Sequence, residues 1–185
     1  MKVNLIGIHG PLNGGKDTVA NLIQEMLPDV FGRYAFAKPI KEACMVMFGF
    51  TLEQLEDRVL KEQVDPFWDF TPRRAMQLLG TEYGRNMLRK DIWIKRAELE
   101  HLKNLKAEVG TIITDVRFPN EAEWLRTQPN AALIYLQVPW FKKDERFNHE
   151  SEAGIELDRA FDNVVYNDKV QGLEPLRKQL RDLMF

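Results

Sequence analysis

Gly10-Pro11-Leu12-Asn13-Gly14-Gly15-Lys16-Asp17-Thr18 sets glycine, four residues, glycine and lysine in a row, and what flanks the stretch gives it meaning. Before it, Lys2 to His9 is a short, nearly continuous apolar run, as expected of a strand buried on both faces in a parallel sheet. After it, Val19, Leu22, Ile23, Met26 and Leu27 recur at helical spacing until Pro28. Strand, glycine-rich turn and helix make a phosphate cradle. Glycines let backbone N–H groups close on phosphate oxygens, and the helix N-terminus adds partial positive charge. Gly10, Asn13, Gly14, Gly15, Lys16, Asp17 and Thr18 are the expected triphosphate-binding set, with Lys16 reaching the β and γ phosphates. Asp17 departs from the usual motif, where a serine or threonine offers its hydroxyl to magnesium. A carboxylate beside a triphosphate is repulsive unless a cation lies between them. Asp17 is therefore expected to act on magnesium, directly or through water, with Thr18 as the nearby hydroxyl.

Four more short apolar runs follow, at Arg33 to Phe36, Gly110 to Thr114, Ala131 to Val138 and Phe161 to Tyr166. Five strands alternating with helices predict an α/β fold on a five-stranded, mainly parallel sheet, the three-layer architecture of P-loop proteins. The stretch between the second and third runs is too long for a simple crossover and is helical in pattern. There Ile40, Ala43, Cys44, Met47 and Phe48 form one apolar stripe, Thr51 and Gln54 have capping-box spacing, and Thr71 then Pro72 open another helix that Gly80 is expected to break. Asp91 to Leu105 reads as the last helix of the region, with Ile94, Ala97, Leu102 and Leu105 apolar. The expected organisation is one domain over 1–185: a core at 1–39 and 109–185, a helical insertion at about 40–108, and a polar, charged stretch at about 139–158 that reads either as a mobile lid or as an ordinary surface connection.

The 185 residues, 44% of them hydrophobic, suffice for one good core. A net charge of -2 lacks the field that a nucleic-acid polymer binder would use. Cys44, the one cysteine, has no second to pair with or to share a metal, and reads as a buried thiol. No signal peptide and no run of about 20 apolar residues is visible. A soluble, cytoplasmic protein is expected.

The third apolar run delivers Asp115 and Arg117 to its C-terminal end, the edge where open α/β sheets bind ligands. A carboxylate there can hold magnesium through water or accept from an acceptor sugar or base; an arginine can clamp a phosphate. Asp115 can equally cap the turn before Asn120. Arg73, Arg74 and Arg85 lie in the helical region with Gln77 and Thr81 between them; helical spacing puts Arg74, Gln77 and Thr81 on one face if the helix continues through Gly80, though a solvated charged face looks much the same. Phe67, Trp68 and Trp93 read as core rather than base-stacking groups. His9 and His149 read as structural. Lys142, Lys143 and Arg146 are candidate lid cations.

Four segments together resemble the bacteriophage deoxynucleoside monophosphate kinases: Gly15-Lys16-Asp17-Thr18; Phe36-Ala37-Lys38-Pro39-Ile40-Lys41-Glu42; Thr71-Pro72-Arg73-Arg74 through Gly80-Thr81-Glu82; and Asp115-Val116-Arg117-Phe118-Pro119-Asn120-Glu121. The resemblance implies an adenylate-kinase-like architecture, ATP as phosphoryl donor, Mg2+ as cofactor and a deoxynucleoside monophosphate as acceptor. On it, Lys16, Asp17, Arg117 and Arg146 become the expected catalytic groups; Arg73, Arg74, Gln77, Thr81, Arg85, Asp115 and Arg117 the acceptor site; and Asp17, Thr18 and Asp115 the magnesium site. A monophosphate with a second pKa near 6 is already an anionic nucleophile at neutral pH, so no general base is needed, and none is obvious. Two other readings stay open at this level: a P-loop kinase of another phosphorylated acceptor, of the dephospho-coenzyme A or phosphomevalonate type, and a non-catalytic nucleotide-binding switch. The expected partners are small molecules, with no membrane and no nucleic-acid polymer; a homodimer is open. For a phage-encoded chain the location would be the host cytoplasm.

Overall fold

Every residue of β1 (Leu5–His9) is buried, because the strand has a neighbour on both sides and helices on both faces. The computed structural model describes residues 3–140 and 154–184. It divides into two compact units, Met1–Ala35 with Ala97–Phe185, and Phe36–Arg96.

In the first unit, β1 is followed by α1 (Lys16–Met26) and β2 (Phe31–Tyr34). β3 (Gly110–Val116), α6 (Pro119–Thr127), β4 (Ala131–Gln137), β5 (Asn163–Tyr166) and α7 (Glu174–Met184) come later in the chain. All five strands are parallel, in the order β2-β3-β1-β4-β5. β1 is thus flanked by β3 and β4, and the chain winds away from it in both directions. That is the switch point at which doubly wound sheets open a crevice beyond the strand C-termini. Alternation of side chains sorts the layers. Ile6 and Ile8 enter a core with Val19, Leu22 and Ile23 of α1 and Leu176 and Leu180 of α7. Gly7 faces the other way, where a Cβ would lie 2.3 Å from Leu125 of α6.

Strand β2 begins two residues before the expected Arg33. Phe31 pairs with Gly110, and only a glycine fits there, since a Cβ on Gly110 would meet the Phe31 ring at 2.6 Å. Helix α5 (Ile92–Lys106) begins in the second unit and ends in the first. Ile94 and Ala97 are buried as expected, but Leu102 and Leu105 are exposed. The inner stripe of the helix's last turns is polar instead: His101 Nδ1 lies 3.0 Å from Thr111 Oγ1, which also accepts from Asn104 Nδ2 at 3.0 Å. Polar residues that satisfy each other displaced the leucines from the inner face.

The second unit holds α2 (Lys38–Phe48), α3 (Leu52–Glu56), α4 (Pro72–Gln77) and the start of α5. Thr51 and Gln54 form the expected capping box, and Thr71 Oγ1 accepts from Arg74 N with Pro72 in the first turn. Of the expected α2 stripe only Cys44 is fully buried, and Met47 is exposed. Burial pushes the Cys44 thiol up to about 11, which leaves it protonated and unreactive. Phe48, Phe50, Trp68 and Phe70 pack edge to face, tilted or stacked with centroids 5.3 to 6.3 Å apart, and Trp68 Nε1 donates to Phe48 O at 2.8 Å. Trp68 is core, as expected, whereas Phe67 is exposed.

Gly80 does not break its helix. The chain continues from α4 into a π-helix over Leu78–Leu88, a coil long enough to be rare. Its buried residues are Gly80, Thr81, Gly84 and Arg85, a four-residue recurrence that suits the wider turn. Trp93 explains why the glycines matter. Its indole Nε1 donates to Gly80 O at 2.7 Å, and its ring lies where a Cβ on Gly84 would stand, 2.7 Å from Cζ2. Gly84→Ala should therefore cost about 1–3 kcal/mol of stability by overpacking, read as a lowered midpoint in chemical denaturation; an unchanged midpoint would mean that the ring is free to move aside.

Candidate active site

The cradle sits at the C-terminal end of β1. Asn13 and Gly15 both take left-handed backbone, at φ 60° and 97°, and Gly14 N donates to Pro11 O at 3.0 Å. Glycine is required at 15 twice over: the angle is strained for any other residue, and a Cβ would lie 2.6 Å from Asn167 Nδ2. Lys16 Nζ donates to Gly10 O at 2.9 Å and Pro11 O at 2.8 Å, so the ammonium lies across its own loop. Asp17, in the first turn of α1, is largely exposed, and its Oδ1 accepts from Arg33 Nη2 of β2 at 2.8 Å; Arg33 Nη1 donates to Asn21 at 2.6 Å. The loop is also held from a distant part of the chain. Asn167, buried just beyond β5, donates from Nδ2 to Gly14 O at 2.7 Å, while its own backbone receives Trp140 Nε1 at 3.1 Å and donates to Gln137 O at 2.9 Å.

Asp115 and Arg117 stand at the C-terminal end of β3, next to β1, and both are half-buried. Glu121, whose residue is 1% exposed, caps the turn that follows: its Oε2 accepts from Arg117 N at 2.8 Å and Phe118 N at 3.0 Å. A buried carboxylate thus fixes the backbone that carries Arg117. On β1, His9 is buried with Nδ1 2.9 Å from Val116 O and its ring 4.8 Å from that of Tyr135. Burial pushes the imidazole below its ordinary pKa, the bond to Val116 opposes this, and Lys16 and Arg117 nearby add to the lowering.

In the second unit, Arg74, Gln77 and Thr81 lie along the α4 and π-helical segment, with Thr81 and Arg85 buried and Gln77 half-buried. Arg73 is ion-paired to Glu62. Arg74 is the more exposed arginine, with Nη1 3.6 Å from Glu82, and Arg85 donates to Lys90 O at 3.3 Å. Lys142, Lys143, Arg146 and His149, together with most of the expected lid, lie outside the described residues.

A family model for deoxynucleotide monophosphate kinases matches residues 49–180. The chain belongs to that family. It is 31% identical to the deoxynucleoside-5'-monophosphate kinase of Escherichia phage T5, in an alignment covering 93% of this chain and 98% of that one. An inferred deoxynucleotide monophosphate kinase of Acanthamoeba polyphaga mimivirus is 32% identical over 89% of each chain, and the deoxynucleotide monophosphate kinase of Escherichia phage RB69 is 24% identical over 94% of this chain and 70% of its own. The enzyme is accordingly a deoxynucleoside monophosphate kinase with ATP as phosphoryl donor.

Several residues of this kinase that bear on its site went unrecognised in the sequence. Glu121 had a signal: it stands three residues after Phe118, with Pro119 opening the helix, which is capping-box spacing. Arg33 and His9 lie in strands, where nothing local marks them. Asn167 is 153 positions from its partner Gly14. The same holds for Arg126, which pairs through two nitrogens with the fully buried Asp162 carboxylate and donates to Glu156 O at 2.9 Å, fastening the chain as it enters β5. Among these, Asn167 touches the loop itself. Asn167→Ala should raise the KM for ATP about tenfold, the loss of one buried hydrogen bond, and leave the KM for the monophosphate within about twofold; a parallel rise in both would show general unfolding instead.

Proposed function

We propose that this kinase transfers the γ-phosphoryl group of ATP in line to the 5'-phosphate of a deoxynucleoside monophosphate, with the cradle at 10–18 holding the donor and Arg117 the acceptor phosphate; the family resemblance adds Arg74 and Gln77 of the second unit as acceptor-binding groups. The observation that supports it most is the joining of the two halves of the chemistry at one sheet edge, the phosphate loop ending β1 and the Asp115–Arg117 turn ending β3. The loop amides and Lys16 would bind and orient the triphosphate; Lys16 would leave its two carbonyl partners for the transferring group. Arg117, held by Glu121 through the backbone, would align the acceptor phosphate. Thr81, Arg73 and Arg85 belong to the same acceptor segment, Arg73 and Arg85 shaping it through Glu62 and Lys90. The acceptor phosphate needs no general base, so the protein supplies alignment and charge compensation.

Magnesium is part of this reading. A cation here would be held by triphosphate oxygens, water and one or two carboxylates. That is the coordination Mg2+ favours, and Asp17, Thr18 and Asp115 supply oxygen donors alone. Bound there, magnesium would neutralise phosphate charge. Arg33 already takes one oxygen of Asp17, which tempers the carboxylate's repulsion for the triphosphate. Small molecules are the whole of the proposed partner set, acting in the cytoplasm; among the described residues no helix is long and apolar enough to cross a membrane.

The reading is tested by measuring ADP release with dTMP, dGMP, dCMP, hydroxymethylated dCMP and AMP, with dephospho-coenzyme A and phosphomevalonate as outsiders. Turnover confined to an outsider would overturn it. Lys16→Ala should fold normally and lose about 10²–10³-fold in kcat. Asp17→Ser should need more magnesium and turn over more slowly in a titration of initial rates at saturating substrates; an unchanged requirement and rate would reduce Asp17 to the partner of Arg33.

A further inference from the structure

Strands β1 and β3 lose register where the site begins. Leu5, Ile6 and Gly7 pair with Thr111, Ile112 and Ile113 in step, but His9 pairs with Val116. Two steps along β1 thus answer three along β3, and the extra residue lies at Thr114–Asp115. Such bulges are uncommon in parallel pairs and recur beside active sites, where they re-aim side chains. Because side chains alternate along a strand, one inserted residue turns everything after it to the other face. The bulge therefore sets the direction in which Arg117 leaves the sheet. From β1, the His9 side chain bonds the bulge at Val116 O. Val116 O can only accept, so His9 Nδ1 carries the hydrogen of the 2.9 Å bond. His9 is itself fixed, buried against Tyr135, whose hydroxyl donates to Ile155 O at 3.3 Å.

We infer that His9 is a positioning residue of the phosphoryl-transfer site: its Nδ1–H holds the β3 bulge at Val116 and thereby aims Arg117 at the acceptor phosphate. This rests on the reading of Arg117 as an acceptor ligand. Its consequence is that the strand carrying the ATP loop also sets the geometry of the acceptor arginine.

The pair His9→Asn and His9→Gln tests it, because an asparagine amide donates from nearly the position of Nδ1 and a glutamine amide from that of Nε2. His9→Gln should raise the KM for the monophosphate about tenfold, one misdirected charge-assisted contact, with the KM for ATP within about twofold. His9→Asn should restore most of the loss. Combined with Arg117→Ala, His9→Gln should add little, since residues acting through one contact are not additive. In the unmodified protein, nitrogen-detected NMR should find the His9 ring protonated on Nδ1. Equal behaviour of the Asn and Gln variants, full additivity with Arg117→Ala, or a ring protonated on Nε2 would each overturn the inference, the last needing no variant to fold. The single variant Arg117→Ala separates the two claims. If it leaves the acceptor KM unchanged, the reading of Arg117 is wrong; if it raises that KM while His9→Gln does not, only the role of His9 falls.

Discussion

A loop binds phosphate with its backbone only while its amides converge, and convergence at 10–18 depends on left-handed turns at Asn13 and Gly15 being held open against collapse. Asn167 holds Gly14 O from beyond β5, Gly14 N donates to Pro11 O within the turn, and Lys16 lies across the carbonyls of Gly10 and Pro11. The buried β1 anchors the near end and the α1 core the far end, so the turn cannot relax along the chain. Much of the first unit is arranged around this constraint: β1 in the centre of the sheet, β3 and β4 on either side, and β5 positioned to bring Asn167 across.

The turn after β3, proposed as the acceptor side, is held by different contacts. Its geometry is set through the backbone, with Glu121 receiving Arg117 N and Phe118 N, and the β3 bulge receiving His9. A guanidinium on a fixed backbone loses less rotational freedom when it engages a phosphate, which makes alignment cheaper at the moment of transfer. In the second unit a π-helix has its widened coil wedged by Trp93 against Gly80 and Gly84. A long π-helix is stable only when its neighbours over-determine it, and here a tryptophan does so.

Much of this was legible in the sequence for physical reasons that act locally. Glycine spacing, the apolar run before it and the amphipathic run after it specify strand, loop and helix from Leu5 to Met26 with no reference to the rest of the chain. All five strands fell within three residues of the runs that announced them, and the reason is plainest at β1, β3 and β4, whose burial inside the sheet demands a nearly continuous apolar stretch. Thr51 and Thr71 announced their helices because a cap is chemistry within one turn.

What the sequence determined by itself is therefore the class of fold and the strand, loop and helix around residues 10–18, each set by neighbours a few positions apart, and, through its four motif segments, the family. Only the tertiary structure decided which groups hold those segments in place. Asn167 on Gly14, Arg33 on Asp17 and His9 on Val116 join residues from 16 to 153 positions apart. Gly80 shows the same division at short range: a glycine ordinarily ends a helix, yet here the Trp93 indole meets its carbonyl and the coil runs on. His101 and Asn104 take the inner face of α5 from Leu102 and Leu105 because Thr111 gives them a buried partner. Propensity and periodicity describe a residue's preferences before it meets a partner, and packing decides which partner it meets.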